Sequence, residues 1–274
     1  INDLFNPTEY LISPFNNTER FMNNEYFLTD QQMEFKNIML KQMAVNGIHH
    51  FFSIYGLAGT GKTLLTYDIA KECLNRSKKV AIIHCGKLND GQMTLKEKYQ
   101  WNVFSIKRYK DVLADKYDVI ILDEVQRVYK SQLDEIIDYV YEEKITGIFS
   151  YDPNQTLSEF ETNAKIPEHI DEKANPKKFE LTKKIRTNKE LSSFIQGLFD
   201  SSKKNSVLDY SNVNLQYFSY MESTKGFIKS LKRQGWTVID YTVPQYNGAE
   251  IYKMHTGEAE ANTHEVIGQE YDNV

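Results

Sequence analysis

The stretch Gly56-Leu57-Ala58-Gly59-Thr60-Gly61-Lys62-Thr63 constrains this chain more than any other, because it satisfies G-x-x-x-x-G-K-[ST] in full. An apolar run, Phe51-Phe52-Ser53-Ile54-Tyr55, leads into it, and Leu64, Leu65, Tyr67, Ile69 and Ala70 recur behind it at helical spacing. The pattern predicts a buried strand, a glycine-rich turn and a helix. Gly56, Gly59 and Gly61 allow the backbone to curl its N–H groups around a polyphosphate, with Thr60 inside the same cradle. The helix N-terminus adds partial positive charge and Lys62 a full one. Thr63 offers a hydroxyl to Mg²⁺.

The flanking sequence repeats the alternation of strand and helix. After the helix that runs to about Asn75, Val80-Ala81-Ile82-Ile83-His84 is a continuous apolar run, and Tyr117–Glu124 and Gly147–Asp152 read as further buried strands. Between them, a piece to about Gln100 and the spans Ile106–Ala114 and 131–143 have helical spacing. Upstream, Thr29 is placed to cap a helix carrying Met33, Phe35, Ile38, Met39 and Met43. Buried strands alternating with helices predict an α/β fold with a parallel sheet covered on both faces. Residues 152–180 are polar and contain Pro153, Pro167 and Pro176, which marks a change of composition. The alternation then restarts with a helix over 188–199, a strand Val213–Tyr220, a helix Ser223–Arg233 and a strand Trp236–Tyr241. The expected division is an irregular lead-in over 1–21, a first domain over 22–180 and a second over 181–274.

At 274 residues there is material for two medium domains. A net charge of −5 excludes a strongly basic, histone-like binder but not a protein with one basic groove. Two cysteines, no signal peptide and no apolar run near membrane-spanning length predict a reducing, cytoplasmic setting without membrane association. The chain opens on Ile1 and stops at Val274 in mid-pattern, so it reads as a piece of a longer protein.

Asp118-Val119-Ile120-Ile121-Leu122-Asp123-Glu124 delivers two adjacent carboxylates at the C-terminal end of a strand, the edge where open α/β sheets gather function. Asp123 is placed to hold Mg²⁺ and Glu124 to orient and deprotonate the water that attacks the γ-phosphate. A nucleotide kinase needs an acceptor hydroxyl instead, so Asp-Glu favours NTP hydrolysis. Gln155, in Tyr151-Asp152-Pro153-Asn154-Gln155, follows the next strand and suits contact with a γ-phosphate, although the residues alone fit an ordinary Asp-Pro turn as well. Arg186 is either a cation reaching across a cleft toward phosphate or a solvated member of a basic run.

Taken in order, Leu28-Thr29-Asp30-Gln31-Gln32, Gly56–Thr63, Asp123-Glu124-Val125-Gln126-Arg127, Tyr151–Gln155, Leu181–Arg186 and Thr263–Asp272 resemble a superfamily 1 helicase. More narrowly, they resemble the bacterial and phage DNA/RNA helicase domain related to the Schlafen helicase group, over roughly residues 22–274. The resemblance implies a RecA-like P-loop NTPase with a parallel sheet flanked by helices, followed by a partial second RecA-like domain. It implies ATP and Mg²⁺ as cofactors and single-stranded DNA or RNA as partner. It implies that Gln32 reads the adenine edge, that Gln155 links γ-phosphate state to the nucleic-acid track and that Arg186 contacts the γ-phosphate from the second domain. Thr263, His264, Gly268 and Glu270 match a late motif that contacts the nucleic-acid backbone and the nucleotide ribose. His84-Cys85-Gly86-Lys87-Leu88-Asn89 occupies the position of the single-strand contact loop, with Lys87 and Asn89 as candidates for phosphate contacts.

In one respect the chain departs from the family pattern. It stops before the motif that carries a second arginine for the γ-phosphate, and a polypeptide ending there is expected to hydrolyse poorly, since arginine fingers supply about 10³–10⁵ in rate. The leading expectation is an ATP-dependent helicase or translocase. The alternative is an ATP-gated binding or signalling module, such as a defence-system subunit, that does not unwind. A small-molecule kinase is disfavoured by Glu124 and Gln155.

Overall fold

The computed structural model describes residues 12–45, 47–156, 159–182, 189–240, 259–262, 266, 271, 273 and 274. Its elements run α1 (Thr18–Met22), α2 (Asp30–Met43), β1 (His50–Gly56), α3 (Lys62–Asn75), β2 (Val80–His84), α4 (Asp90–Glu97), β3 (Asn102–Ser105), α5 (Tyr109–Leu113), β4 (Val119–Asp123), α6 (Lys130–Glu143), β5 (Thr146–Tyr151), α7 (Glu159–Ala164), α8 (Ile166–Ala174) and β6 (Lys177–Leu181). Beyond these come α9 (Lys189–Phe199), α10 (Met221–Arg233), β7 (Ile239–Asp240) and β8 (Ala261–Asn262).

The first six strands pair in parallel in the order β3-β2-β4-β5-β1-β6. Alternation along each strand sorts its residues between two cores. Phe52, Ile54, Ile82 and Ile121 join Leu64, Leu65 and Ile69 of α3 and Met39 and Met43 of α2 on one face. Phe51, Ala81, Ile83, Ile120, Leu122 and Phe149 join Leu133, Ile136, Ile137 and Val140 of α6 and Ile166 and Ile170 of α8 on the other. Val119, Ile120, Ile121 and Leu122 are fully buried, and each such side chain contributes about 1.5–3 kcal/mol relative to exposure. This explains why β4 reads as one unbroken apolar run: helices cover it from both sides.

Two parts of the chain fold more fully than the sequence suggests. Of the lead-in, Ile12, Phe15 and Phe21 are buried, with the Phe15 ring edge-on to Tyr67 at 5.0 Å. The polar stretch 152–180 holds α7, α8 and the edge strand β6. Pro167 sits in the first turn of α8, where its missing N–H breaks no helical hydrogen bond. In β6 only Phe179 and Leu181 are buried, while Lys177, Lys178 and Glu180 face outward, as an edge strand tolerates. β3 was also not legible as a strand.

The chain divides into two compact units, Ile1–Lys184 with Ile267–Glu270, and Ile185–Val266 with Tyr271–Val274. In the second unit, α10 is amphipathic and β7 pairs in parallel with β8. Residues 213–220, expected as a strand, form none: Leu215, Tyr217 and Tyr220 are largely exposed and no partner strand lies beside them among the described residues. An alternating pattern without a neighbour to satisfy its N–H and C=O groups does not make a strand. Among the described residues no helix is long and apolar enough to cross a membrane.

Candidate functional site

β1 ends at Gly56, where a Cβ would meet the Leu181 carbonyl oxygen of β6 at 2.4 Å, so only glycine permits this close approach. The chain then turns through Gly59 (φ 77°) and Gly61 (φ 83°), left-handed conformations that glycine adopts without a steric penalty. Thr60 tightens the turn by donating its Oγ1 hydrogen to the Leu57 carbonyl at 2.8 Å. Gly61 caps α3, so the first N–H groups of that helix, including those of Lys62 and Thr63, face the loop.

Lys62 is buried. Its Nζ donates to the carbonyls of Gly56 at 2.8 Å and Leu57 at 3.1 Å and lies 3.7 Å from Asp152 Oδ2. That last contact follows from topology. β5 is inserted between β1 and β4, so the turn after Tyr151 emerges between the loop and the β4 acids. Gln32 is fully buried beside the loop. Its Oε1 accepts from Thr29 N at 2.9 Å in the capping box of α2, and its Nε2 donates to Gly61 O at 3.2 Å. Both ends of the amide are engaged, which makes Gln32 a tie between α2 and the glycine turn.

Asp123 closes β4 in register with His84 of β2, and His84 Nδ1 lies 3.3 Å from Asp123 Oδ2. Asp123 Oδ1 is buried and has no hydrogen-bond partner among the described residues. Glu124 adopts φ 58°, ψ 38°, a left-handed conformation that is uncommon outside glycine and carries strain of order 1–3 kcal/mol. It turns the chain into a short 3₁₀ segment, Val125–Arg127. Glu124 Oε2 accepts from Gln126 Nε2 at 2.8 Å and lies 3.9 Å from Arg127 Nε. Burial, with the Asp123 carboxylate beside it, pushes the Glu124 carboxyl above its ordinary pKa. The arrangement can therefore accept a proton at Glu124 and hold a hard cation at Asp123.

The unpartnered Asp123 Oδ1 fits a cation's need for a carboxylate oxygen. Among the described residues no group of three or more His, Cys, Asp or Glu side chains could hold a metal alone.

A family model for the Schlafen group 3 DNA/RNA helicase domain matches residues 49–238. The chain belongs to that family. Membership in the Schlafen group 3 helicase family implies a P-loop domain that binds ATP. No curated protein matches the chain. Among solved structures, it is similar to the Pif1 helicase from Candida albicans, with 15% identity, a TM-score of 0.43 and coverage of 83% of this chain and 61% of that one. AMPPCP-bound DnaA from Aquifex aeolicus matches with 16% identity, a TM-score of 0.40 and coverage of 79% and 66%. A replication initiator DnaA bound to AMPPCP and single-stranded DNA matches with 14% identity, a TM-score of 0.40 and coverage of 78% and 65%. The chain thus spans less than two thirds of the length of these structures.

Within this helicase domain, the structure brings together Gln32, Gly56, Gly59, Thr60, Gly61, Lys62 and Thr63 on one side and Asp123, Glu124 and the Gln155 turn on the other. Arg186, Thr263, His264, Gly268 and Glu270 lie outside the described residues. Lys87 is exposed on the loop after β2. Asn89 is buried instead: its Oδ1 accepts from Gln92 N at 2.9 Å and caps α4. That oxygen is spent on the helix, while Nδ2, the atom that could donate to a phosphate, is buried without a hydrogen-bond partner among the described residues.

His84, Gln126, Arg127 and Asp152 are site residues that sequence reasoning gave no role. One signal was available for His84: a polar residue ends an apolar run parallel to the one that ends in Asp123.

Proposed function

We propose that the chain is the ATP-hydrolysing core of a DNA/RNA helicase or translocase that couples Mg-ATP hydrolysis to movement on single-stranded nucleic acid. One observation carries the reading. Lys62 of the glycine-rich loop and the Asp123–Glu124 pair stand at the same C-terminal edge of one parallel sheet, linked by the turn that begins at Asp152.

Glycine-turn N–H groups and Lys62 bind the phosphates, with Thr60 and Thr63 in the cradle. Thr63 and Asp123 hold Mg²⁺, which when bound neutralises phosphate charge. Glu124, its carboxyl raised by burial, orients the water and takes its proton. Gln32 fixes the loop and meets the adenine only by exchanging its present partners. Gln155 senses the γ-phosphate, and Arg186 supplies positive charge from the second domain. Thr263, His264 and Glu270 extend the site to the nucleic-acid backbone and the ribose, and Lys87 offers a phosphate contact. The regions 22–180 and 181–274 serve as first and second RecA-like domains, the latter supported by the parallel pairing of β7 with β8.

The test is ATP turnover of the full chain with and without single-stranded DNA and RNA. Stimulated turnover that collapses in Lys62→Ala and Glu124→Gln supports the motor. Tight ATP binding without turnover supports an ATP-gated module instead, and activity indifferent to nucleic acid removes the motor reading.

A further inference from the structure

At the end of the sheet opposite the phosphate loop, where β1 begins at His50 and the parallel β6 at Lys177, lies a pocket of about 370 Å³. Its walls come from the end of α2, the segment leading into β1 and the turn between α8 and β6. Rings line its apolar part. The His50 imidazole stacks on Phe52, with 5.9 Å between centroids and 13° between planes, and Tyr141 holds His49 edge-on at 4.4 Å. Val45 and Ile48, each 51% exposed, complete the apolar lining.

The polar groups around this hollow are unbalanced. Among the described residues no Asp or Glu lines it. Lys177, in register with Phe52 on the neighbouring strand, makes no ion pair among the described residues, whereas the lysines near it do: Lys178 pairs with Asp171 at 2.5 Å, and Lys173 lies 3.6 Å from Asp134. His50 Nε2 is buried without a hydrogen-bond partner among the described residues. An orphaned ring nitrogen and an unpaired ammonium beside one ring-lined hollow call for a ligand that carries an anionic acceptor on a flat apolar body.

Charge and size narrow its chemistry. One ammonium balances one negative charge, which a carboxylate carries, whereas a phosphate monoester carries about 1.5–2 near pH 7. The volume falls in the range of small-molecule sites, about 300–1,000 Å³. Among the lining residues only Val45 and Ile48 expose large apolar side chains, too little for a protein partner, which covers about 800 Å².

We propose that this pocket binds a small aromatic carboxylate, its ring against Phe52, Val45 and Ile48 and its carboxylate taken by Lys177 and by His50 in the Nε2–H tautomer. The site is distinct from the nucleotide site, since β1 runs its whole length, from His50 to Gly56, between the two.

The experiment titrates the full chain with 2-naphthoate and with its neutral analogue 2-naphthamide by ligand-observed NMR, with Mg²⁺ and adenylyl imidodiphosphate in excess so that the phosphate loop is filled. Saturable binding of the acid is expected at a Kd of about 1 mM or below, and of the amide at a Kd about tenfold higher, the worth of one charge-assisted contact. Lys177→Met should raise the Kd of the acid about tenfold and leave that of the amide unchanged, which loss of a merely structural lysine would not do. His50→Phe keeps a ring on Phe52, removes the nitrogen and should weaken the acid about three- to tenfold. Absence of saturable acid binding, equal affinities for acid and amide, an unchanged acid affinity in both variants, or weakening of both ligands alike in Lys177→Met each overturn the proposal.

Discussion

His84 and Asp123, side by side in register on β2 and β4, meet through a 3.3 Å Nδ1···Oδ2 contact with both side chains buried. The contact occupies one carboxylate oxygen and leaves the other, Oδ1, without a partner among the described residues. A carboxylate anchored at one oxygen presents the second in a fixed direction, the usual way in which outer groups orient a metal ligand.

Replacing His84 with Ala should therefore have two separable effects. Leaving Asp123 Oδ2 buried without a donor costs about 1–3 kcal/mol, visible as a lower denaturant midpoint. A less restrained Asp123 should raise the Mg²⁺ concentration for half-maximal ATPase about 10- to 100-fold. A Mg²⁺ titration beside a urea melt checks both, and an unaltered Mg²⁺ requirement would show that the imidazole serves packing alone.

Glu124→Gln should trade activity for stability. The amide removes a carboxyl that burial and Asp123 already make costly to ionise, and it leaves the backbone at φ 58° unchanged. Turnover should fall by about 10²–10⁴, the contribution of a positioned general base. The folded state should be no less stable than wild type, a pattern expected where a strained site serves chemistry. Calorimetry and a steady-state assay on the same preparation measure it.

Legibility from the sequence followed contiguity. The glycine turn with Lys62, and Asp123-Glu124 at the end of β4, are each contained in a few adjacent residues whose spacing already fixes the local structure. His84 gains its role only from strand register, and Asp152 only because β5 is inserted between β1 and β4, neither of which a single segment encodes. Local competition hid other features. Asn89 caps α4 through its Oδ1, a role its side chain allows as readily as contact with a phosphate. Pro167 looked like a break but lies in the first turn of α8. In β6 the charges of Lys177, Lys178 and Glu180 masked the inward pair Phe179 and Leu181.

Gly91→Ala should loosen the lead-in. A Cβ there would meet the backbone of Phe15 at 2.2–2.6 Å, far inside van der Waals contact, and backbone yields less easily than a side chain. The expected cost is about 1–3 kcal/mol, with the segment carrying Ile12, Phe15 and Phe21 the first to detach. Limited proteolysis should cut the variant within residues 12–22 before wild type. Cleavage at the same rate would show that the segment can shift without cost.

Lys71 should make stability rise with pH on the alkaline side of neutrality. Its ammonium lies 4.3 Å from the Phe21 ring centroid and 4.8 Å from that of Tyr26, and it donates to the Phe21 carbonyl. Burial lowers its pKa from 10.5 to about 8, with the Asp68 charge opposing and the Lys36 charge assisting. Between those two values the unfolded chain binds the proton and the folded chain does not, so stability increases as pH climbs from about 8 to 10.5. Below that window both states are protonated and the full cost of burying the charge is present. Lys71→Met removes the group, so the stability of wild type relative to this variant should grow across the window and stay flat below it. Urea midpoints of the two proteins, taken at closely spaced pH values from neutral to alkaline, measure that difference. Parallel curves would mean that the facing rings and carbonyl hold the ammonium charged throughout.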